Sequence, residues 1–130
     1  MILDTSFIID VMNKKAEAIK KIRELEENKK TYLVTSLTIF ELFSGVGQSK
    51  KPDEEKTKIK EVLGSGYILP LDEDSAREGG FIHGQLRKEG TPIGTADCMI
   101  AGITLINNEK LLTNNVKDFK KIKGLELVTY

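Results

Sequence analysis

Short apolar segments alternate with longer amphipathic stretches along this sequence of 130 residues. The short segments have the character of buried β-strands, and the longer ones repeat their apolar residues at helical spacing. We predict strands at residues 2–3, 32–34, 67–71, 111–113 and 125–128, and helices at 5–12, 14–28, 36–46, 54–63, 73–89 and 95–107. Strands that are joined by helices pair in parallel. The pattern therefore predicts an α/β fold in one domain over residues 1–130, a three-layer α/β/α sandwich around a short, mainly parallel five-stranded sheet.

The composition excludes several classes of protein. No stretch approaches the roughly 18 apolar residues of a membrane span, and the start of the chain lacks the basic region of a signal peptide. The single cysteine, Cys98, excludes an internal disulfide bond, so we expect a cytoplasmic protein with no membrane partner. With one histidine, His83, the chain is poorly equipped for zinc, and any metal must rest mainly on carboxylates, which favours Mg²⁺ or Mn²⁺.

The net charge restricts the possible functions less than the composition does. Lys and Arg total 20, as do Asp and Glu, so the formal net charge is zero. Many proteins that bind nucleic acids have a basic excess. Its absence counts against broad nonspecific binding, but it does not exclude a nuclease, because a cluster of acids that binds metal would offset a basic surface elsewhere.

Acidic side chains follow three of the predicted strands. Asp4 comes directly after the first strand, Glu41 lies in the helix after the second, and Asp118 follows the fourth. Because parallel sheets bind ligands beyond the carboxyl ends of their strands, we expect these acids to converge on one edge of the sheet. Gathered carboxylates repel one another unless a cation is present. A divalent ion would neutralise them, polarise a phosphodiester and lower the pKa of a bound water.

Each of the first two acids also has a purely structural interpretation. Asp4 can cap the helix that follows it, since Asp is a favoured residue at that position. Glu41 can complete a capping box with Thr38, in which case the helix would begin after Ile39. A carboxylate within the apolar residues 37–43 nevertheless costs free energy unless it is paired or binds metal.

The other two acids are also ambiguous when taken alone. Asp97 can complement the dipole of a helix whose first turn is capped by Thr95. Asp118 can be an ordinary turn or cap residue, and the nearby Asn115 can be a turn residue or can orient a water bound to metal. A metal site is therefore predicted by the whole set of acids rather than by any one of them.

Four segments in order carry a resemblance to a known family. The chain resembles PIN-domain nucleases, and most of all the VapC-type toxins of prokaryotic toxin–antitoxin pairs. The resemblance covers essentially the whole chain, and the ending at 124–128 also fits. The segments that carry it are residues 2–6, 38–42, 94–101 and 112–119.

This resemblance implies cleavage of RNA that depends on Mg²⁺ or Mn²⁺. Asp4 and Asp97 would be the principal metal ligands, and Glu41 and Asp118 would complete the acidic pocket. Ser6 would lie beside the metal as a supporting donor, and Asn115 would share the task of Asp118. The resemblance also implies a homodimer that is silenced by a small antitoxin of the VapB kind.

Other residues receive simpler interpretations. The aromatic residues Phe40, Phe43 and Phe119 are expected in the core rather than as platforms for stacked bases, and Cys98 as a small core residue. His83 is expected to be packed or at an interface rather than catalytic. Four lysines near the end of the chain either contact the RNA backbone or form an ordinary solvated surface, and they are Lys117, Lys120, Lys121 and Lys123.

Three alternatives stand beside the toxin hypothesis. A phosphoacceptor receiver domain is also parallel α/β, but it usually carries an acidic pair at its first strand, where this chain has Asp4 alone. A PIN-like module that only binds a partner would be expected to have lost one of the acids. A stand-alone RNA-processing nuclease would share the chemistry without the antitoxin.

Overall fold

Five parallel strands form the centre of the protein in the computed structural model, which describes residues 1–64 and 66–130. Their order across the sheet is β3-β2-β1-β4-β5, and each neighbouring pair is parallel. The predicted fold is confirmed. The elements are β1 (Ile2–Leu3), α1 (Thr5–Met12), α2 (Ala16–Glu27), β2 (Leu33–Thr35), α3 (Ser36–Gln48), α4 (Pro52–Leu63), β3 (Tyr67–Leu69), α5 (Glu73–Lys88), α6 (Thr95–Ile106), β4 (Leu111–Leu112), α7 (Val116–Phe119) and β5 (Leu127–Val128).

Adjacent residues of the central strands point to opposite faces of the sheet and supply two separate cores. Leu3 and Leu112 pack with residues of α1, α2, α3 and α4 on one face. Ile2 and Leu111 pack with residues of α5, α6 and α7 on the other. This alternation follows from the two-residue period of a strand. Both faces are covered, and the sheet is the middle of three layers.

The first strand lies at the point where the chain changes direction across the sheet. From β1 the chain moves to β2 and then β3 on one side, and later it returns to place β4 on the other side of β1. The backbone N–H of Asp4 donates to the carbonyl of Leu112 at 3.0 Å, which holds the end of β1 against β4. Ligands of parallel sheets bind at such switch points, so Asp4 stands where a site is expected.

Two helices begin where they were predicted, at Ser36 and Thr95, but their capping residues differ from the predicted ones. Helix α3 begins at Ser36, and the Thr35 hydroxyl accepts a hydrogen bond from the backbone N–H of Thr38 at 3.2 Å. The capping box between Thr38 and Glu41 is therefore wrong, because Thr38 already lies inside the helix. Helix α6 follows Gly94, which has no side chain to cap it, so the expected cap at Thr95 is also wrong.

Proline accounts for two further differences. The sequence predicts a polar loop at residues 50–53 before the helix at 54–63, but Pro52 already opens α4, because a residue at the first helical position needs no N–H donor. Strand β3 ends at Leu69 rather than 71, because Pro70 cannot donate to a neighbouring strand. The short helix α7 was not predicted. The sequence at residues 64–66, with glycine at 64 and 66, predicts the end of this helix. Gly64 does end α4, with a positive φ of 52°, and residue 65 lies outside the described residues.

The aromatic residues divide between core and surface. Phe119 is fully buried and Cys98 is 1% exposed, as predicted. Phe40 and Phe43 are 72% and 47% exposed, so their assignment to the core is wrong. Helical spacing places both on an apolar stretch of α3, but spacing alone does not say which face of a helix the sheet covers. His83 is half-buried on α5.

Helices α5 and α6 approach each other backbone to backbone through two glycines. A Cβ on Gly102 would lie 2.4 Å from the carbonyl oxygen of Ser75, and one on Gly79 would lie 2.8 Å from that of Cys98. Real Cβ atoms do not come this close, so the packing requires glycine at both positions. This contact places the first turn of α6, which carries Asp97, relative to the sheet.

Within residues 1–64 and 66–130, no helix is long and apolar enough to cross a lipid bilayer.

Candidate active site

Asp4 is a buried carboxylate with a hydrogen-bond donor at each of its oxygens. Its side chain caps α1 by accepting from the Thr5 backbone N–H at 2.9 Å. Its other oxygen accepts from the hydroxyls of Ser6 at 3.0 Å and Thr113 at 2.7 Å. Burial raises the pKa of Asp4, and the three hydrogen bonds oppose that rise in part. The structural interpretation and the functional one are therefore compatible, because one carboxylate both caps the helix and faces the edge of the sheet.

Glu41 lies on α3 and is held by a row of hydroxyl groups. The Thr5 hydroxyl donates to its Oε1 at 2.8 Å and lies 2.9 Å from the hydroxyl of Thr38. The Thr35 hydroxyl in turn donates to that of Thr38 at 3.3 Å. The donors thus point in one direction, from Thr35 to Glu41, and hold the half-buried carboxylate beside the start of α1.

Asp97 and Asp118 share one amide. Asp97 stands in the first turn of α6 and Asp118 in α7. The side-chain amide of Asn115 donates to Asp97 at 3.4 Å and to Asp118 at 3.2 Å. The Lys121 ammonium lies 3.8 Å from the other oxygen of Asp118. These contacts are longer than those around Asp4, and both carboxylates are only half-buried.

The electrostatic environment of Asp97 shows that the four acids lie close together. Its pKa is raised to about 6, first by burial and then by the negative charges of Asp4, Glu41 and Asp118. The structure therefore brings the four predicted acids to one edge of the sheet, at the carboxyl ends of β1, β2 and β4. Negative charge is in excess there, and a cation would relieve it.

The donor chemistry of this pocket fits a hard divalent ion, but the pocket is not closed. Oxygen ligands are those that Mg²⁺ and Mn²⁺ prefer. Yet in the part of the chain that the structure describes, no group of three or more His, Cys, Asp or Glu side chains is arranged to hold an ion as it stands. Mutual repulsion keeps such carboxylates apart without a cation, so the side chains would have to move inward to bind one.

Sequence reasoning missed the threonines that support the acids. The side chains of Thr5, Thr38 and Thr113 are buried, and each takes part in the hydrogen bonds described above. A signal was present, because Thr35 ends β2 and Thr113 directly follows β4, at the same edge as Asp4. Ser6 and Asn115 lie next to the acids that they were expected to support. Of the four predicted lysines, Lys121 approaches Asp118, and the other three are exposed.

The sequence was compared with models of known protein families. The family model for the PIN domain matches residues 1–125. The chain belongs to the PIN-domain family. The receiver-domain alternative is therefore wrong.

The relatives of this PIN domain carry VapC names. Ribonuclease VapC2 of Rickettsia felis is 30% identical over 125 residues, which cover 96% of this chain and 93% of that protein. The tRNA(fMet)-specific endonuclease VapC of Salmonella typhimurium is also 30% identical, with the same coverage of both chains. The chain thus matches VapC proteins along nearly their full length.

Solved structures give the same result. A chain in the crystal structure of VapBC2 from Rickettsia felis, bound to a DNA fragment from their promoter, superposes with a TM-score of 0.89 at 28% identity. The match covers 99% of this chain and 97% of that one. A chain of the DNA-bound VapBC from Salmonella typhimurium superposes with a TM-score of 0.88 at 28% identity, covering 98% and 96%.

Proposed function

We propose that this PIN-domain protein is an endoribonuclease that depends on Mg²⁺ or Mn²⁺ and acts as the toxin of a VapBC-type toxin–antitoxin pair. The observation that carries the proposal is the environment of Asp97, whose pKa is raised to about 6 by burial and by three neighbouring acids. Such a concentration of carboxylates at the switch point of a parallel sheet is suited to a divalent ion. The full-length similarity to proteins named ribonuclease and endonuclease supports the reaction.

In this proposal Asp4 and Asp97 are the principal metal ligands, and Glu41 and Asp118 complete the pocket. When bound, a divalent ion supplies a Lewis acid for the phosphodiester and a water of lowered pKa. The protein's own residues hold the geometry. The hydrogen bonds to Asp4 fix its orientation, and Asn115 keeps Asp97 and Asp118 on one side of the pocket. Glu41, held by Thr5, accepts a proton or helps to hold a second ion.

The substrate in this proposal is RNA, bound through its backbone by the lysines at the end of the chain. Contacts with phosphates supply much of the affinity of proteins for nucleic acids. Lys121 reaches the acidic pocket through Asp118, and three neighbouring lysines are exposed close to it in sequence, namely Lys117, Lys120 and Lys123. The net charge of the chain is zero, but the four lysines give this part of the surface a local basic character that suits a polyanion.

We also propose a small antitoxin of the VapB kind as a partner, and a homodimer. Structures similar to this chain are VapBC complexes, which supports the antitoxin. Exposed apolar side chains give partners a surface to cover, since Phe40 is 72%, Phe81 64% and Ile68 53% exposed. A segment of the antitoxin that covers the acidic pocket would silence the enzyme.

The test of the activity is cleavage of a mixed RNA pool by the purified protein. Reactions contain Mg²⁺, Mn²⁺ or EDTA, and they compare the unaltered protein with Asp97→Asn. Asp53→Asn is a matched control, because Asp53 also lies in the first turn of a helix but is exposed on α4. We expect cleavage with metal, none in EDTA, a loss of more than about 100-fold in Asp97→Asn, and no change in Asp53→Asn.

Different results favour the alternative functions. A folded protein that binds Mn²⁺ but cleaves no RNA in the pool would favour the partner-binding module. Cleavage by a protein whose expression does not slow growth, and for which the neighbouring reading frame encodes no inhibitor, would favour a stand-alone RNA-processing nuclease. Growth arrest that is relieved by expressing a small neighbouring protein would support the toxin.

A further inference from the structure

Thr113 occupies a buried position between the two sides of the acidic pocket. It directly follows β4, and its side chain is fully buried. Its backbone N–H donates to the carbonyl of Val128 at 2.9 Å, while the N–H of Asp4 donates to the preceding carbonyl, of Leu112, at 3.0 Å. Hydrogen bonds with the ends of β1 and β5 thus fix the backbone at Thr113.

The hydroxyl of Thr113 makes two hydrogen bonds, and their directions are determined. The backbone N–H of Asn115 can only donate, so at 2.9 Å it uses a lone pair of the hydroxyl. The single proton of the hydroxyl then points to the Asp4 carboxylate, at 2.7 Å. Thr113 therefore joins the residue that caps α1 to the residue that precedes α7.

Asn115 extends this connection to the remaining side of the pocket. Its side-chain amide donates to Asp97 and Asp118, at 3.4 and 3.2 Å. A continuous path of hydrogen bonds therefore runs from Asp4 through Thr113 and Asn115 to the two acids on α6 and α7. Displacing the Thr113 hydroxyl would release both ends of that path.

We propose that Thr113 is a positioning residue that keeps Asp4 and Asn115 in the arrangement from which the four acids close on a divalent ion. This inference rests on the proposed function, because it assumes a metal in the acidic pocket. Thr113 itself has no role as a ligand here. It acts through Asp4 and Asn115, and the property that it should govern is the affinity for metal.

The test is the affinity of the RNA-free protein for Mn²⁺, measured by isothermal titration calorimetry. Thr113→Val keeps the shape of the side chain but removes its donor and acceptor, and Thr113→Ser keeps the hydroxyl. Thr104→Val is the matched control, because Thr104 is equally buried and its hydroxyl donates to the Ile100 carbonyl within α6. We expect about 10- to 100-fold weaker binding in Thr113→Val, within about 3-fold of the original in Thr113→Ser, and no change in Thr104→Val.

A second measurement separates positioning from plain stability. Thermal unfolding in EDTA reports the stability of each metal-free variant, and the titration is made where all of them are folded. Weaker Mn²⁺ binding by folded Thr113→Val, with recovery in Thr113→Ser, supports the proposal. A variant that unfolds earlier in EDTA yet binds Mn²⁺ with unchanged affinity overturns it. If Thr113→Val does not fold, Thr113→Ala removes the same hydroxyl and carries the same expectation.

A double-mutant cycle tests the path itself. If Thr113 acts partly through Asn115, then Thr113→Val should weaken Mn²⁺ binding less in an Asn115→Ala background than in the unaltered protein, and the remaining effect should be the part that acts through Asp4. Fully additive effects would overturn the path. If the unaltered protein binds no Mn²⁺, the metal-dependent function fails and this inference fails with it. If that protein binds Mn²⁺ and Thr113→Val binds equally well, the inference alone fails.

Discussion

The two sides of the acidic pocket are built differently. On one side Asp4 is 4% exposed, and its oxygens accept three hydrogen bonds of 2.7 to 3.0 Å. On the other side Asp97 and Asp118 are half-buried and share the amide of Asn115 through longer contacts of 3.4 and 3.2 Å. The Asp4 side is already ordered by donors within the protein, whereas the Asp97 side has more negative charge than its donors offset.

The difference has a physical cause in the fold. Asp4 ends the central strand, and hydrogen bonds between strands hold its backbone. Asp97 starts a helix whose position depends on how α6 packs against α5, through Gly79 and Gly102. One side of the pocket is therefore fixed by strand pairing and hydrogen-bond donors, while repulsion between carboxylates remains on the other side.

The largest effect should come from the packing that places Asp97. In Gly102→Ala the new Cβ would meet the Ser75 carbonyl oxygen at 2.4 Å, so α5 and α6 must separate. We expect the free energy of unfolding, measured with urea, to fall by about 3 kcal/mol. In the control Gly84→Ala, in α5, a Cβ meets nothing within 4 Å, and we expect a gain of about 0.5 to 1 kcal/mol. Equal stability of Gly102→Ala and the original protein would show that α6 is not held in this way.

Removing the charge on each side should change stability in opposite directions. In EDTA near neutral pH, Asp4→Asn should lower the free energy of unfolding by about 1 to 2 kcal/mol. The amide nitrogen cannot accept from the buried donors that Asp4 satisfies, and we expect this loss to exceed the relief of burying a charge there. Asp97→Asn should raise it by about 1 kcal/mol, since it removes repulsion that solvent already screens at this half-buried position. Urea unfolding measures both values. Changes of the same sign would contradict the contrast between the two sides.

The pH dependence of that gain follows from the raised pKa of Asp97. Its pKa is about 6 in the folded protein and near 3.8 in the unfolded chain, so folding favours the protonated form. The resulting stabilisation is fully present below about pH 3.8 and is lost as the pH rises through about 6. In EDTA the advantage of Asp97→Asn in melting temperature should therefore be absent near pH 4 and reach its full size near pH 7. A constant difference across that range would be inconsistent with the raised pKa.

A second carboxylate, Asp10, has a pKa that is shifted in the opposite direction. Asp10 has a lowered pKa, chiefly because Lys15 bonds to it. Its contribution to stability is present above about pH 3.8 and is lost as the pH falls. The measured quantity must therefore be the difference between Asp97→Asn and the original protein, because Asp10 is common to both.

The smallest effect should come from Lys121, the cation at the outer rim of the pocket. Its ammonium lies 3.8 Å from Asp118, and both side chains are partly exposed. We expect Lys121→Ala to change the free energy of unfolding by less than about 0.5 kcal/mol. If Lys121 contacts RNA, the same variant should reduce the salt dependence of RNA binding by about one phosphate contact. An unchanged dependence on salt would assign Lys121 to the solvated surface instead.

The local sequence pattern was sufficient to predict the fold and the edge of the sheet at which the acids lie. Strand-like segments separated by helical ones require a parallel sheet, and acids that follow such strands must reach its carboxyl edge. These relations hold whatever the order of the strands, so the sequence predicts the positions of Asp4, Glu41 and Asp118. Asp97 was found from its segment and the resemblance to PIN domains, and the structure places it beside the other three.

The remaining features depend on which elements are neighbours in space. Thr113 reaches Asp4 because β4 lies beside β1, and the order of strands cannot be read from the chain. Phe40 is exposed because α3 turns that face away from the sheet, although its periodicity is that of a core helix. Sequence patterns specify the elements and their chemistry through short-range spacing. The partners of each side chain come from packing between residues that are distant along the chain, and that packing decided how this acidic pocket is supported.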